Sequence, residues 1–193
     1  MAPAPRVAGS SLGERLLLAY HAVFSAGRCV PAAQVADTAR RALGSDGLLS
    51  AENSAAFCFA GFTLAYADRF DEALEQLARA IDQARASGTT PMLVLALWMR
   101  SNVHYRRGSL AQAETDARGA LAAEEWFTAA VAFLGDVLIA RGELTDAETE
   151  FIRHGLTGDD LFPNLLVANL LALERCARTR CSGSARRGAP TQR

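Results

Sequence analysis

Apolar residues recur at three- and four-residue steps through most of residues 11–178, and the runs are separated by glycine, proline or short polar stretches. Such a period belongs to amphipathic helices, whereas strands alternate every second residue. It predicts helices over 11–26, 31–43, 51–67, 70–86, 91–107, 110–124, 126–141, 144–154 and 162–178, an all-α chain of about four hairpins and a C-terminal helix with no strand required. Local chemistry agrees with these boundaries. Gly44-Ser45-Asp46-Gly47 is a turn cluster, Ser10 or Ser11 and Ser50 suit helix caps, and Pro91 suits the first turn of the fifth helix. Ala123-Glu124-Glu125-Trp126 joins two helical patterns so directly that the sixth and seventh helices could be continuous.

The hairpins repeat. With Ala73, Ala113 and Ala147 aligned, Asp68, Gly108 and Gly142 stand five residues earlier, where a first helix must stop and the chain reverse. Phe70, Leu110 and Leu144 stand three earlier, apolar at the start of the second helix. Leu77, Ala117 and Phe151, then Ala80, Ala120 and His154, continue one face of that helix, with only His154 polar. Twelve residues before the anchors come Gly61, Ser101 and Gly135, all small, as close approach of two helices demands. Gly27, Ala32, Ala36 and Ala39 form a degenerate earlier copy, with bulky Tyr20 at the position of the small residue. A small residue in one helix facing an alanine in the next resembles the tetratricopeptide repeat and implies a solenoid of that kind over 11–178.

In tetratricopeptide stacks the first helix of each pair lines a concave groove. Carried over position by position, the resemblance puts Cys58, Phe59, Phe62 and Tyr66, then Trp98, Met99, Asn102, Tyr105 and Arg106, then Phe133, Asp136 and Ile139 on that surface. Aromatics would supply contact area while Asn102, Arg106 and Asp136 set orientation, which suits an apolar small-molecule effector or a partner's helix. Phe59, Phe62 and Phe133 read more readily as core between repeats, so Trp98, Tyr105 and Arg106 are the stronger candidates. Trp98 stands where repeats that clamp a peptide carboxylate place a lysine, which argues against such a clamp.

The phrases ADRFDEA, RRGSLAQAE and RGELTDAE, within a similarity spanning most of residues 15–170, resemble the helical-repeat sensor region of large ATP-dependent LuxR-type transcriptional regulators. The resemblance implies a module that receives an inducer or a protein and governs assembly. In that family a nucleotidase domain precedes the repeats and a helix-turn-helix follows them. This chain is expected to be a fragment, a truncated relative or a stand-alone sensor: it has no P-loop lysine, and after residue 178 there is no room for a DNA-reading helix pair.

Composition narrows the chemistry. All twenty basic residues are arginine, so Schiff-base and P-loop lysine chemistry are excluded. A net charge of −1 provides no field for nucleic acid or an anionic membrane, and no apolar run reaches spanning length. Cys29, Cys58, Cys176 and Cys181 are scattered without ligand or disulfide spacing, which suggests a reduced, cytoplasmic protein. The arginine-rich 179–193 is too poor in apolar residues to offset its ordering entropy, and it and the Pro/Ala-rich 1–10 are expected to be disordered. Leu165, Leu166, Leu170 and Leu173 would give the C-terminal helix an open apolar face for self-association.

Catalytic signals are weak. Gly9-Ser10-Ser11-Leu12-Gly13 fits G-x-S-x-G, but a nucleophile elbow needs a strand before it, and a helix cap is the simpler role. His21, His104 and His154 have no metal-ligand spacing, and Asp71-Glu72, Glu124-Glu125 and Asp159-Asp160 sit at helix ends or in loops. No cofactor is called for. The expected function is a non-catalytic sensing or interaction module of LuxR-type descent. The alternative is a stand-alone scaffold that docks a partner helix or peptide, unrelated to transcription.

Overall fold

The computed structural model describes residues 11–26, 30–44 and 49–155, all in helices and their connections. Eight α-helices follow one another: α1 (Leu12–Ala26), α2 (Ala32–Leu43), α3 (Ser54–Tyr66), α4 (Phe70–Ser87), α5 (Thr90–Arg107), α6 (Leu110–Ala123), α7 (Thr128–Arg141) and α8 (Leu144–Arg153). Among the described residues there is no strand. The expected helix 162–178 with its leucine face, both expected disordered ends, most of the Gly44–Gly47 turn, and Cys29, Cys176 and Cys181 lie outside the described residues.

Two kinds of helix alternate. In α3, α5 and α7 buried residues occur on nearly every side, including Phe57, Cys58, Ala60 and Leu64 of α3 and Leu134, Gly135, Val137 and Leu138 of α7. In α4 they form one stripe, Ala73, Leu77, Ala80, Ile81 and Ala84, and in α6 another, Ala113, Asp116, Ala117 and Ala120. A helix buried all round must be covered on several faces, while a striped helix needs one neighbour surface. The packing agrees. Each helix lies against the next in sequence, and the odd-numbered helices also pack on one another, α1 on α3, α3 on α5 and α5 on α7. Odd helices therefore form one layer and even helices the other.

The turns inside three hairpins share one geometry. Asp68, Gly108 and Gly142 all have positive φ, at 58°, 86° and 82°. At each, the residue's own N–H donates to the carbonyl three residues back and the following N–H to the carbonyl five back, as with Gly108 to Tyr105 (3.0 Å) and Ser109 to His104 (2.8 Å). This Schellman arrangement satisfies the last carbonyls of the first helix and turns the chain. Beyond it the second helix crosses the first closely. Gly61 faces Gln76 and Leu77, Gly135 faces Phe151, and the Ser101 hydroxyl donates to the Ala113 carbonyl at 2.6 Å. The three anchor alanines are buried at these crossings.

Some expectations shift. Ser11 caps α1 through a reciprocal box: its N–H donates to Glu14 Oε2 (2.7 Å) and the Glu14 N–H to Ser11 Oγ (3.3 Å). Ser50 instead precedes a 3₁₀ turn, Ala51–Asn53, and its hydroxyl accepts from Asn53 Nδ2 and caps no backbone N–H. Helices α6 and α7 are separate, because Glu124 is extended (φ −147°, ψ 94°) and breaks the ladder. In α1 the small buried residues are Ala19 and Ala22, whereas Tyr20 is 53% exposed, so bulk at that position obstructs nothing. Leu144 is exposed, since no described element packs beyond α8.

Candidate functional site

The odd helices carry their outward side chains on adjoining faces, and two contacts show the alignment. The Arg106 guanidinium of α5 lies 4.7 Å from the ring centroid of Tyr66 on α3, a cation–π contact. Tyr105 of α5 meets Phe133 of α7 edge to face, with centroids 5.5 Å apart. Phe62 packs edge-on against Tyr66 on α3 at 5.2 Å. One aromatic strip thus runs from α3 across α5 to α7.

Its polar groups come from the turns of helix between the rings. Asn102 Nδ2 donates to the Trp98 carbonyl at 2.8 Å, which fixes the amide on its own helix. Asp136, one turn beyond Phe133, is exposed, and among the described residues no hydrogen bond or ion pair engages its carboxylate. Crowding by protein nevertheless raises its pKa through desolvation. Burial likewise raises the Tyr66 phenol, with the Arg106 charge opposing.

The residues expected on this surface divide. Tyr66, Asn102, Tyr105 and Arg106 are half-buried, and Asp136 and Ile139 are exposed. Phe62 and Phe133 are buried at its base, and Phe59 is partly buried against the core. Trp98, Met99 and Cys58 are inside. Trp98 is only 5% exposed because its indole is covered edge-on by Phe127 (5.7 Å), leaving the Nε1 N–H without an acceptor among the described residues. Trp98 is therefore a packing residue, and the accessible strip narrows to Tyr66, Asn102, Tyr105, Arg106, Asp136 and Ile139.

Sequence reasoning missed a buried ion pair. Arg100 of α5 grips Asp116 of α6 with two bonds, Nε to Oδ2 at 2.7 Å and Nη2 to Oδ1 at 2.6 Å. His104 Nε2 stands 3.7 Å from the same carboxylate, yet burial, opposed by Asp116, pulls the imidazole pKa down. The available signal was spacing: the pair is sixteen residues apart, as are Gly61 and Leu77, and Gly135 and Phe151. Ion pairs also tie the even layer, Arg40 of α2 to Glu72 of α4 and Arg118 of α6 to Glu150 of α8. Open hollows of about 530 and 360 Å³ lie beside these pairs, lined in part by the paired groups themselves.

An apolar hollow of about 330 Å³ lies between the start of α5 and the α6–α7 connection, lined by Pro91, Val94, Leu95 and Phe127 with Thr90 and Glu124. Among the described residues no group of three or more His, Cys, Asp or Glu could hold a metal ion, and no helix is long and apolar enough to cross a membrane. Comparison with protein-family models finds no match, and a search of the curated proteins finds none either.

Proposed function

We propose that the chain is a recognition module of tetratricopeptide-like architecture that receives a segment of a partner protein on its odd-helix layer. The carrying observation is the unequal spacing of the layers. Odd helices pack on one another, whereas even helices meet mainly through long arginine–glutamate pairs. Closer packing in one layer bends a stack toward that layer, so the strip of Tyr66, Asn102, Tyr105, Arg106 and Asp136 lies on the inner curve. Rings, one cation and one carboxylate strung across three helices fit an extended or helical peptide better than an enclosed small molecule. The module is non-catalytic in this proposal, and its work is to hold.

The test is a peptide-array screen with the purified chain, repeated with the Tyr105→Ala/Arg106→Ala double variant after circular dichroism confirms its helices. Peptides bound by the native chain are expected to be lost by the variant. Undiminished binding by the variant would refute the assignment of the strip.

Descent from the sensor region of LuxR-type regulators is proposed on the resemblance of ADRFDEA, RRGSLAQAE and RGELTDAE. These phrases coincide with the three hairpin turns, whose positive-φ residue and buried alanine any repeat of this geometry requires. They therefore support the repeat more strongly than the lineage. Absence of a P-loop domain and of a helix-turn-helix from the neighbouring coding sequence would remove the support for that descent.

A further inference from the structure

We infer that the α5–α7 part of this strip docks an arginine side chain of the partner segment, with Asp136 accepting from the guanidinium and the half-buried Tyr105 ring, seated on Phe133, beside it. The inference rests on the proposed recognition role and specifies its chemistry.

Three observations carry it. The first is that the Asp136 carboxylate, like those of Glu75, Asp82, Asp146 and Glu148, has no ion-pair partner among the described residues, and it is the one of these that lies on the strip. Asp71, Glu72, Glu114, Asp116, Glu143 and Glu150 all bind arginines, while no described residue pairs with Asp136. The cation next along the strip, Arg106, sits over the Tyr66 ring. The second is the setting: Phe133 lies one turn before Asp136 and exposed Ile139 one turn after, with Tyr105 seated edge-on against Phe133. An unpaired carboxylate among apolar groups costs the fold desolvation that nothing in the described structure offsets, and a partner's cation would offset it. Its raised pKa agrees with that cost. The third is shape. A planar guanidinium can lie along a ring and bond a carboxylate with two parallel N–H groups, whereas an ammonium is a compact, strongly hydrated point charge. The chain already uses both contacts, in Arg106 over Tyr66 and in Arg100 on Asp116.

The experiment titrates the ¹⁵N-labelled chain with acetyl-Leu-Arg-Leu-amide and with the same peptide carrying citrulline, which keeps the planar shape and loses the charge. The arginine peptide is expected to shift amides of residues 133–140 and to bind about tenfold more tightly than its citrulline counterpart. Asp136→Asn, at an exposed position, is expected to keep the fold by circular dichroism and to make the two peptides equal. Tyr105→Leu, which keeps apolar bulk, is expected to reduce the arginine preference about threefold. Equal binding of both peptides by the native chain, or an arginine preference that survives Asp136→Asn, overturns the arginine assignment and leaves the groove standing. If neither peptide perturbs α5 or α7, both the assignment and the recognition role fall.

Discussion

Gly135 of α7 faces the ring of Phe151 on α8 so closely that a methyl group built at Gly135 would overlap the ring. The equivalent glycine, Gly61 of α3, is less confined, since a methyl there would come no nearer than 3.3 Å, to Gln76 Cβ. Gly135→Ala is therefore expected to destabilise the chain by about 1–3 kcal/mol, the cost of overpacking. Gly61→Ala should cost under about 1 kcal/mol, because the gain in helix propensity offsets part of the crowding. Urea unfolding of both variants measures the difference. Equal destabilisation would show that Phe151 yields freely.

Asp68 holds the left-handed turn that glycine holds at the two equivalent positions, with φ of 58°. An L-residue with a β-carbon pays for that conformation, although aspartate tolerates it better than most. Asp68→Gly should raise stability by up to about 1 kcal/mol, and Gly108→Ala, at φ 86°, should lower it by about 1 kcal/mol. Opposite signs in thermal unfolding are the expected result. A loss of stability in Asp68→Gly would mean that the aspartate side chain contributes more than its strain removes.

Arg100 and Asp116 join the two helices of one hairpin inside the core, where the Asp116 side chain is only 6% exposed. Removing the charge from Asp116 leaves the Arg100 guanidinium partly buried and without its main acceptor, so Asp116→Asn is expected to cost about 2–4 kcal/mol. Replacing both by leucine should recover much of the loss, because the pair's desolvation cost disappears with it. A chemical-denaturation series of the single and double variants checks both expectations.

The helices and turns were legible because their causes are local. Helical spacing of apolar residues, the positive-φ sites at Gly108 and Gly142, and the small residues Gly61, Ser101 and Gly135 each act within a few positions or across one hairpin. The aromatic strip was legible only in part. Position along α5 puts Trp98 and Arg106 two turns apart on neighbouring faces, but burial of Trp98 depends on Phe127, which arrives from the connection after α6. The Arg100–Asp116 pair was hidden for the same reason, since each charge alone reads as a solvated helix residue until the second helix folds back on the first.

Glu72 gives acid stability a defined window. Hydrogen bonds from Arg40, with a further one from Arg69, hold its carboxyl at about 2 against an ordinary 4.5. A depressed carboxyl stabilises the fold above its unfolded pKa, and that stabilisation is lost as pH falls from about 4.5 toward about 2. With a third of the side chain solvent-exposed, its worth at neutral pH is roughly 0.5–1 kcal/mol. Glu72→Gln should be less stable than the native chain by that amount at pH 7, with the gap closing across the window. A gap independent of pH would assign the effect to packing.

Asp136 has the opposite sign. Desolvation raises its carboxyl, so the folded chain binds a proton more readily than the unfolded chain does. Between the ordinary carboxylate pKa and the raised one, stability falls as pH rises, and the loss persists at neutral pH. Asp136→Asn removes the charge and should stabilise the free chain at pH 7, by under about 1 kcal/mol given the exposure of the side chain. The gain should shrink as pH drops below the raised pKa, where the native carboxyl is already protonated. A variant more stable in isolation yet weaker toward an arginine peptide would identify Asp136 as a group kept for binding at the expense of stability. Thermal unfolding of both chains from pH 3 to pH 8 supplies the first half of that comparison, and a destabilised Asp136→Asn at neutral pH would show that the carboxylate has a stabilising role within the fold.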